Sequence, residues 1–345
     1  MSKMLDEIRE QPSALAKLWK GERKNIAAIA ARIRKHNPTL FEMAARGSSD
    51  NAATFGKYLF EYANGLPCSL TAPSIHTVYG RHPNMKTAVV IGISQSGEGT
   101  DINESLDSAR KTGAYTIGIT NTAGSGITKV ADDVILLRAG LEKGLAATKT
   151  YTCELLALMM LSGALNDDKK FLDQLARAPE QMDKMLSMEP FITALCERYR
   201  YMDRCVIIGR GFNYSTVREA ALKLMETSYV VAQPFSTADF QHGPIAMTGA
   251  GFPTFVCVPP GKMAAPLHDL CLELNEKLLE TVIISSRKAT LKIASKAVAV
   301  PVDVDETISP LFYIVPFQFF ANALSQARGI DPDNPRFLKK VTQTF

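Results

Sequence analysis

Residues 89–105 read VVIGISQSGEGTDINES, and this stretch decides how the rest of the chain is parsed. An apolar run ends abruptly in Ser94-Gln95-Ser96-Gly97, and a helix-like pattern follows. A short apolar run bounded by Ser and Gly reads as a buried strand, over 87–93. Asp101 and Glu104 then have the spacing of a capping box for a helix over 101–112. The junction is neither the G-x-G-x-x-G of dinucleotide folds nor the G-x-x-x-x-G-K-[ST] of P-loops. Instead it offers hydroxyls, an amide and two glycines at a helix start, where free N–H groups and the helix dipole favour an anion. The plain alternative is a Ser/Gly-rich turn with no ligand.

Working outward, further strands are expected over 40–45, 68–72, 114–120 and 133–137, and helices over 50–63 and 145–161. Strands alternating with helices predict an α/β fold, a doubly wound and mostly parallel sheet flanked by helices. The second half repeats this order. Ala-Arg-Gly ending at Gly47 recurs as Gly-Arg-Gly ending at Gly211, an offset of 164 positions (211 − 47) that also sets Gly97 on Gly261. The expected organisation is a helical leader (1–24), a first five-stranded unit (25–165), a helical linker (166–189), a second five-stranded unit (190–330) and a polar tail (331–345). A second hydroxyl-rich strand-to-helix junction, ARGSSDNA, places Ser48 and Ser49 in the first unit. In the second unit the matching loop, VPPGK, has no serines, which predicts one phosphate site per chain.

Composition narrows the class. Hydrophobic residues make up 46% and charged residues 21%, as in ordinary globular proteins rather than disordered chains. The net charge of +4, from 39 basic and 35 acidic residues, is spread along the chain. That suits a small anionic substrate, with no basic block for nucleic acid. The six cysteines form no C-x-x-C pair and sit mostly in apolar runs, as expected of reduced core residues in a cytoplasmic protein. No His/Cys/carboxylate cluster has metal-ligand spacing, so neither metal nor cofactor is expected. No apolar run is long enough to span a membrane.

The other informative stretch is REAALKLMETSY, residues 218–229. Glu219, Lys223 and Glu226 lie at i, i+4 and i+7, on one helix face. A solvated face with a Glu–Lys pair is the ordinary reading. Against it, Ala220, Ala221, Leu222, Leu224, Met225 and Tyr229 make the rest of the helix apolar, which predicts a buried helix with its charged stripe lining a cavity. There a lysine can hold a carboxylate ionised, and a carboxylate can move protons at carbon. His242 follows in DFQHGP, on a loop set by Gly243-Pro244. Lys339 and Lys340 lie in the polar tail.

Taken together, RGSS, SQSGE, GLAATKTY, EAALKLME, QHGP and DPDNPRFLKKVT make the chain resemble the sugar isomerase (SIS) domain family from about residue 25 onward. The resemblance is to the isomerase half of glutamine-dependent glucosamine-6-phosphate synthases. It implies two tandem SIS domains. It also implies that Ser49, Ser94, Gln95 and Ser96 bind a sugar phosphate, and that Leu145 and Ala146 offer backbone contacts to the sugar. Glu226 would be the base shuttling a proton between C1 and C2, with Glu219 and Lys223 beside it. His242 would assist ring opening from a neighbouring subunit, implying a homodimer with a shared active site, and Lys340 would engage the ketose carbonyl. The pattern departs where the synthases usually have Thr at Gly99, with Thr100 next to it as a substitute hydroxyl, Cys at Arg46 and Ser at Ala147. The synthases also carry a glutaminase domain, whereas this sequence begins MSKMLDEIREQP. The expectation is therefore the reverse chemistry, as in the SIS-type glucosamine-6-phosphate deaminases, with a hexose 6-phosphate as substrate. A fructosamine-6-phosphate deglycase, an aldose–ketose phosphate isomerase and a non-catalytic sugar-phosphate sensor are the alternatives.

Overall fold

A computed structural model describes residues 2–340 as two compact α/β units. One holds Glu10–Glu142, Lys149–Pro179 and the tail lysines Lys339 and Lys340; the other holds residues 2–9, Lys143–Thr148 and Glu180–Leu338.

The first unit is built on strands β1 (Leu40–Ala45), β2 (Cys68–Leu70), β3 (Ala88–Ile93), β4 (Tyr115–Thr120) and β5 (Asp133–Leu136), all parallel, in the order β2-β1-β3-β4-β5. β3 lies near the middle and is buried at all six positions, as its uninterrupted apolar run requires. Helices Gln11–His36, Gly47–Leu59 and Lys149–Leu165 pack together on one side. Thr100–Lys111 and Gly126–Val130 pack around Val90, Leu106 and Ile127 on the other. The Gln11–His36 helix runs unbroken through residue 25 and ends at Asn37, whose left-handed φ of 52° lets its N–H reach back to Ile33 and Arg34.

The second unit repeats the plan with β6 (Arg204–Gly209), β7 (Val231–Ser236), β8 (Pro253–Val258), β9 (Glu280–Ser285) and β10 (Lys296–Ala299), in the order β10-β9-β8-β6-β7. Read from β7, this is the same order as in the first unit, and again every pair is parallel. Helix Tyr214–Ser228 packs on β6, β7 and helix Val315–Ala327. Helix Ala264–Glu276 covers β8 and β9 on the opposite side.

The predicted strands fall within two residues of the observed ones. Two readings change. The helix expected over 145–161 begins at Lys149 and runs to Leu165, because the Lys143 and Gly144 N–H groups donate to the buried Glu7 carboxylate and hold the preceding segment out of the helix. The capping box at Asp101 is absent: Gly99 is the N-cap of Thr100–Lys111, and Asp101 lies within the first turn.

Among the described residues, no helix is long and apolar enough to cross a membrane. Helix Lys149–Leu165, buried at every position but its last, instead packs against helices Gln11–His36 and Gly47–Leu59. Its Leu158 has no exposed surface. Leu158→Ala should cost about 2–5 kcal/mol, read from urea unfolding followed by circular dichroism.

Candidate functional site

In the first unit, pairing of Ala45 with Ile93 makes β1 and β3 end level. The residues that follow, Arg46 and Ser94, therefore leave the sheet side by side where the winding reverses. After β3 the chain turns through Ser94–Gly97. Gly97 has a φ of 70°, and a Cβ there would lie 2.1 Å from the Ser125 hydroxyl, so no other residue fits. The loop is pinned from outside: Ser94 N donates to Ile119 O at 3.0 Å, Asn121 N to Gln95 O at 3.1 Å and Ile127 N to Gly97 O at 2.8 Å.

Within the loop each serine oxygen is an acceptor. Gly97 N donates to Ser94 Oγ at 3.1 Å and Glu98 N to Ser96 Oγ at 3.3 Å. A hydroxyl whose oxygen accepts from its own turn keeps its proton to give outward. Gln95 and Thr100 are partly exposed beside them. Ser49 is placed differently. Its Oγ donates to Glu154 Oε1 at 2.8 Å on helix Lys149–Leu165, and both residues are buried. Its proton is committed inside the fold, so it can give to an anion only by leaving Glu154. Asp101, misread as a cap, accepts from Arg46 Nε at 2.7 Å.

Two further charged groups frame the segment after β5. Buried Glu142 accepts from Thr150 N at 3.2 Å and Thr150 Oγ1 at 2.6 Å, and Lys340 Nζ lies 3.4 Å from its Oε2. Lys149, 2% exposed, reaches Glu10 Oε2 at 2.5 Å and Leu141 O at 2.8 Å. Sequence patterns pointed to neither, because each has its charged partner, Lys340 or Glu10, more than a hundred positions away.

In the second unit the helix carrying the charged stripe is buried as expected. Glu219 and Lys223 have no exposed surface, and the Glu226 side chain is 21% exposed. Met225, expected among the buried apolar residues, is exposed and lines an open pocket of about 460 Å³ beside Glu226 and Tyr229. The segment Arg336–Leu338 forms the other wall. There Arg336 stacks over the Tyr229 ring at 4.2 Å, and its N–H donates to the Tyr229 hydroxyl at 2.8 Å. Lys223 Nζ lies 2.5 Å from Glu226 Oε2 and 3.4 Å from Glu219 Oε1. Burial alone would lower the Lys223 pKa, but the charges and hydrogen bonds of Glu219 and Glu226 outweigh it and hold the ammonium above its ordinary range. His242 caps the short helix Thr237–Gln241 and is exposed, outside the pocket beside Glu226. Leu145 and Ala146 belong to the non-helical segment after Gly144, and Ala146 is buried.

The loop after β8 corresponds to the serine loop and has a different occupant. Lys262 N donates to Glu306 Oε2 at 2.6 Å, and a Cβ on Gly261 would lie 2.3 Å from that same oxygen. The second unit thus fills its own crevice with a carboxylate. Cysteine chemistry is disfavoured throughout: all six thiols are buried and free, and burial pushes Cys68, Cys205 and Cys271 up to about 12.

The SIS domain model matches residues 39–163 and 199–325, one match on each five-stranded unit. The chain belongs to the SIS domain family. Among curated SIS proteins it is 35% identical over 347 residues to the glutamine–fructose-6-phosphate aminotransferase (isomerizing) of Thermococcus kodakarensis, covering 98% of this chain and 57% of that protein. The chain therefore spans somewhat more than half of such a relative. Among solved SIS structures, the C-terminal domain of glucosamine-fructose-6-phosphate aminotransferase from Francisella tularensis superposes with a TM-score of 0.88 at 24% identity, covering 97% of this chain and 98% of that one. Glucosamine-6-phosphate deaminase from Thermotoga maritima gives 0.80, also at 24% identity, covering 99% and 100%. At that identity each shows the shared fold.

Lys223→Met would leave the buried Glu219 carboxylate without its cation beside the partly exposed Glu226, and should cost about 3–5 kcal/mol at pH 7 in urea unfolding. Because the folded-state pKa of Lys223 is raised, its contribution is complete below about pH 10 and is lost as pH rises through the folded value. The gap between wild type and variant should therefore close only in strongly alkaline solution.

Proposed function

We propose that this SIS protein is a glucosamine-6-phosphate deaminase, converting glucosamine 6-phosphate and water to fructose 6-phosphate and ammonia. The observation that carries the reading is the Glu226 carboxylate at a pocket wall, backed by a fully buried lysine on the same helix. A carboxylate kept beside an ammonium and open to a cavity is suited to taking a proton from carbon and giving it back. The relatives' activity, amino transfer to fructose 6-phosphate with isomerisation, joins the same atoms. A site that favours the transition state of that exchange serves both directions.

In this reading the Ser94 and Ser96 hydroxyls and the Gln95 amide hold the phosphate, with Thr100 beside Gly99 as a further donor and Ser49 joining once it turns from Glu154. Backbone groups of Leu145 and Ala146 face the sugar. His242 passes a proton to the ring oxygen as the C1–O5 bond opens to the aldehyde. Glu226 then removes the C2 proton, the aldehyde oxygen is protonated, and the resulting enolamine takes a proton at C1. That leaves a hydroxymethyl group at C1 and an imine at C2. Water adds to the imine carbon, ammonia leaves, and the ketone remains, with Lys340 near the carbonyl. Glu219 keeps Lys223 charged. His242 is exposed and outside the Glu226 pocket, which favours a homodimer in which it serves the neighbouring subunit's site.

Glu226→Gln should lower kcat by roughly 10²–10⁴-fold with KM little changed, measured as ammonia and fructose 6-phosphate formed. Undiminished ammonia release would overturn the assignment. Ser96→Ala should instead act mainly on KM, raising it by about tenfold. Turnover of fructoselysine 6-phosphate to lysine and a hexose phosphate, without ammonia from glucosamine 6-phosphate, would point to the deglycase.

A further inference from the structure

The duplicated scaffold provides an internal comparison. In both units the strand that opens the crevice is followed by Arg-Gly with the same backbone: Arg46 has φ −139° and ψ 157°, Arg210 has φ −152° and ψ 159°, and the glycines have φ of 56° and 61°. In the second unit the crevice holds an anion supplied by the chain itself, the Glu306 carboxylate on the Lys262 N–H. There Arg210 turns to neutral Thr237, its Nη1 donating to Oγ1 at 3.3 Å. The fold therefore shows, within one chain, that this crevice accepts an oxyanion.

In the first unit, among the described residues, no carboxylate sits on the serine loop's outward hydroxyls; Glu98 turns away to accept from Gly126 N at 3.3 Å. What stands beside the loop is Arg46. Its Nε is fixed on Asp101, a side chain only 3% exposed, while the arginine side chain as a whole is 56% exposed. Among the described residues its two terminal amino groups have no acceptor. Asp101 thus orients the guanidinium and leaves the end that forms paired hydrogen bonds with phosphate free. Gly99 keeps the approach open. Its φ of −62° suits any residue, and a Cβ there would meet Asp101 Oδ1 only at 3.7 Å and Ser94 Oγ at 3.8 Å. Backbone strain and crowding therefore do not demand glycine at this position, and its smallness leaves room above Ser94.

We propose that Arg46 is a phosphate ligand, its terminal nitrogens binding the substrate phosphate opposite the Ser94 and Ser96 hydroxyls. The proposal rests on the phosphate-loop reading above and adds a selectivity: a permanent cation favours the phosphate dianion over the monoanion and makes binding salt-sensitive. Gln at 46 keeps a donor for Asp101 and removes the charge. Titration calorimetry of the full chain with glucosamine 6-phosphate should show R46Q binding about 10- to 100-fold more weakly, with a flatter dependence on salt. R46K, which keeps the charge and loses the planar pair of donors, should weaken binding while retaining the salt slope. Thermal unfolding of each variant separates loss of folding from loss of the ligand. If R46Q does not fold, R46K carries the test. Wild-type affinity in whichever variant folds, while S96A weakens binding, overturns the role of Arg46 and leaves the serine loop standing. Wild-type affinity in both that variant and S96A overturns the phosphate-loop reading as well.

Discussion

Each sheet reverses its winding between its first and third strands, and that reversal leaves two adjacent strand ends with no crossover helix above them. The two units differ in what they place at this shared gap. In the first unit the strand ends carry Arg46 and the Ser94–Gly97 loop, set level by the pairing of Ala45 with Ile93. In the second unit the same gap takes the chain's own Glu306. The two units thus carry equivalent crevices, one lined by Arg46 and the serine loop and the other occupied by Glu306.

The second constraint is the cost of burying Lys223. An ammonium with no exposed surface is held by two carboxylates about one turn away on the same helix. Of the two carboxylates, Glu219 is fully buried and Glu226 is partly exposed beside the open pocket. Tyr229, which ends the helix in a left-handed conformation, then anchors Arg336 and the segment that forms the pocket's other wall. On the proposed function the charge stripe would serve packing and chemistry together, and removing the lysine would disturb both.

Much of the fold is legible in the sequence because buried parallel strands are continuous apolar runs cut off by Ser, Gly and Pro, as at 88–93 and 253–258. The stripe on residues 219–226 is equally local, since helical spacing alone brings its members together. What escaped reading depends on partners remote in sequence. Asp101 has the spacing of a cap, but Arg46, 55 positions earlier, takes its carboxylate. Leu145–Thr148 has helix-forming composition, but Glu7 captures the N–H groups just before it and delays the helix. Ser49 is correctly placed at a helix start, yet its proton goes to Glu154, 105 positions away. Local pattern thus locates the elements and their polar ends, whereas the direction in which each polar group points is settled by residues remote in sequence within the same unit.

The central claim, that a proton is moved between C1 and C2 before the amine leaves, is tested most directly with glucosamine 6-phosphate deuterated at C2. The account predicts a ketose product, fructose 6-phosphate, with the deuterium found at C1 or lost to water, seen by NMR alongside an equivalent of ammonia. An aldose product still carrying deuterium at C2, formed by direct displacement of the amine, would contradict it.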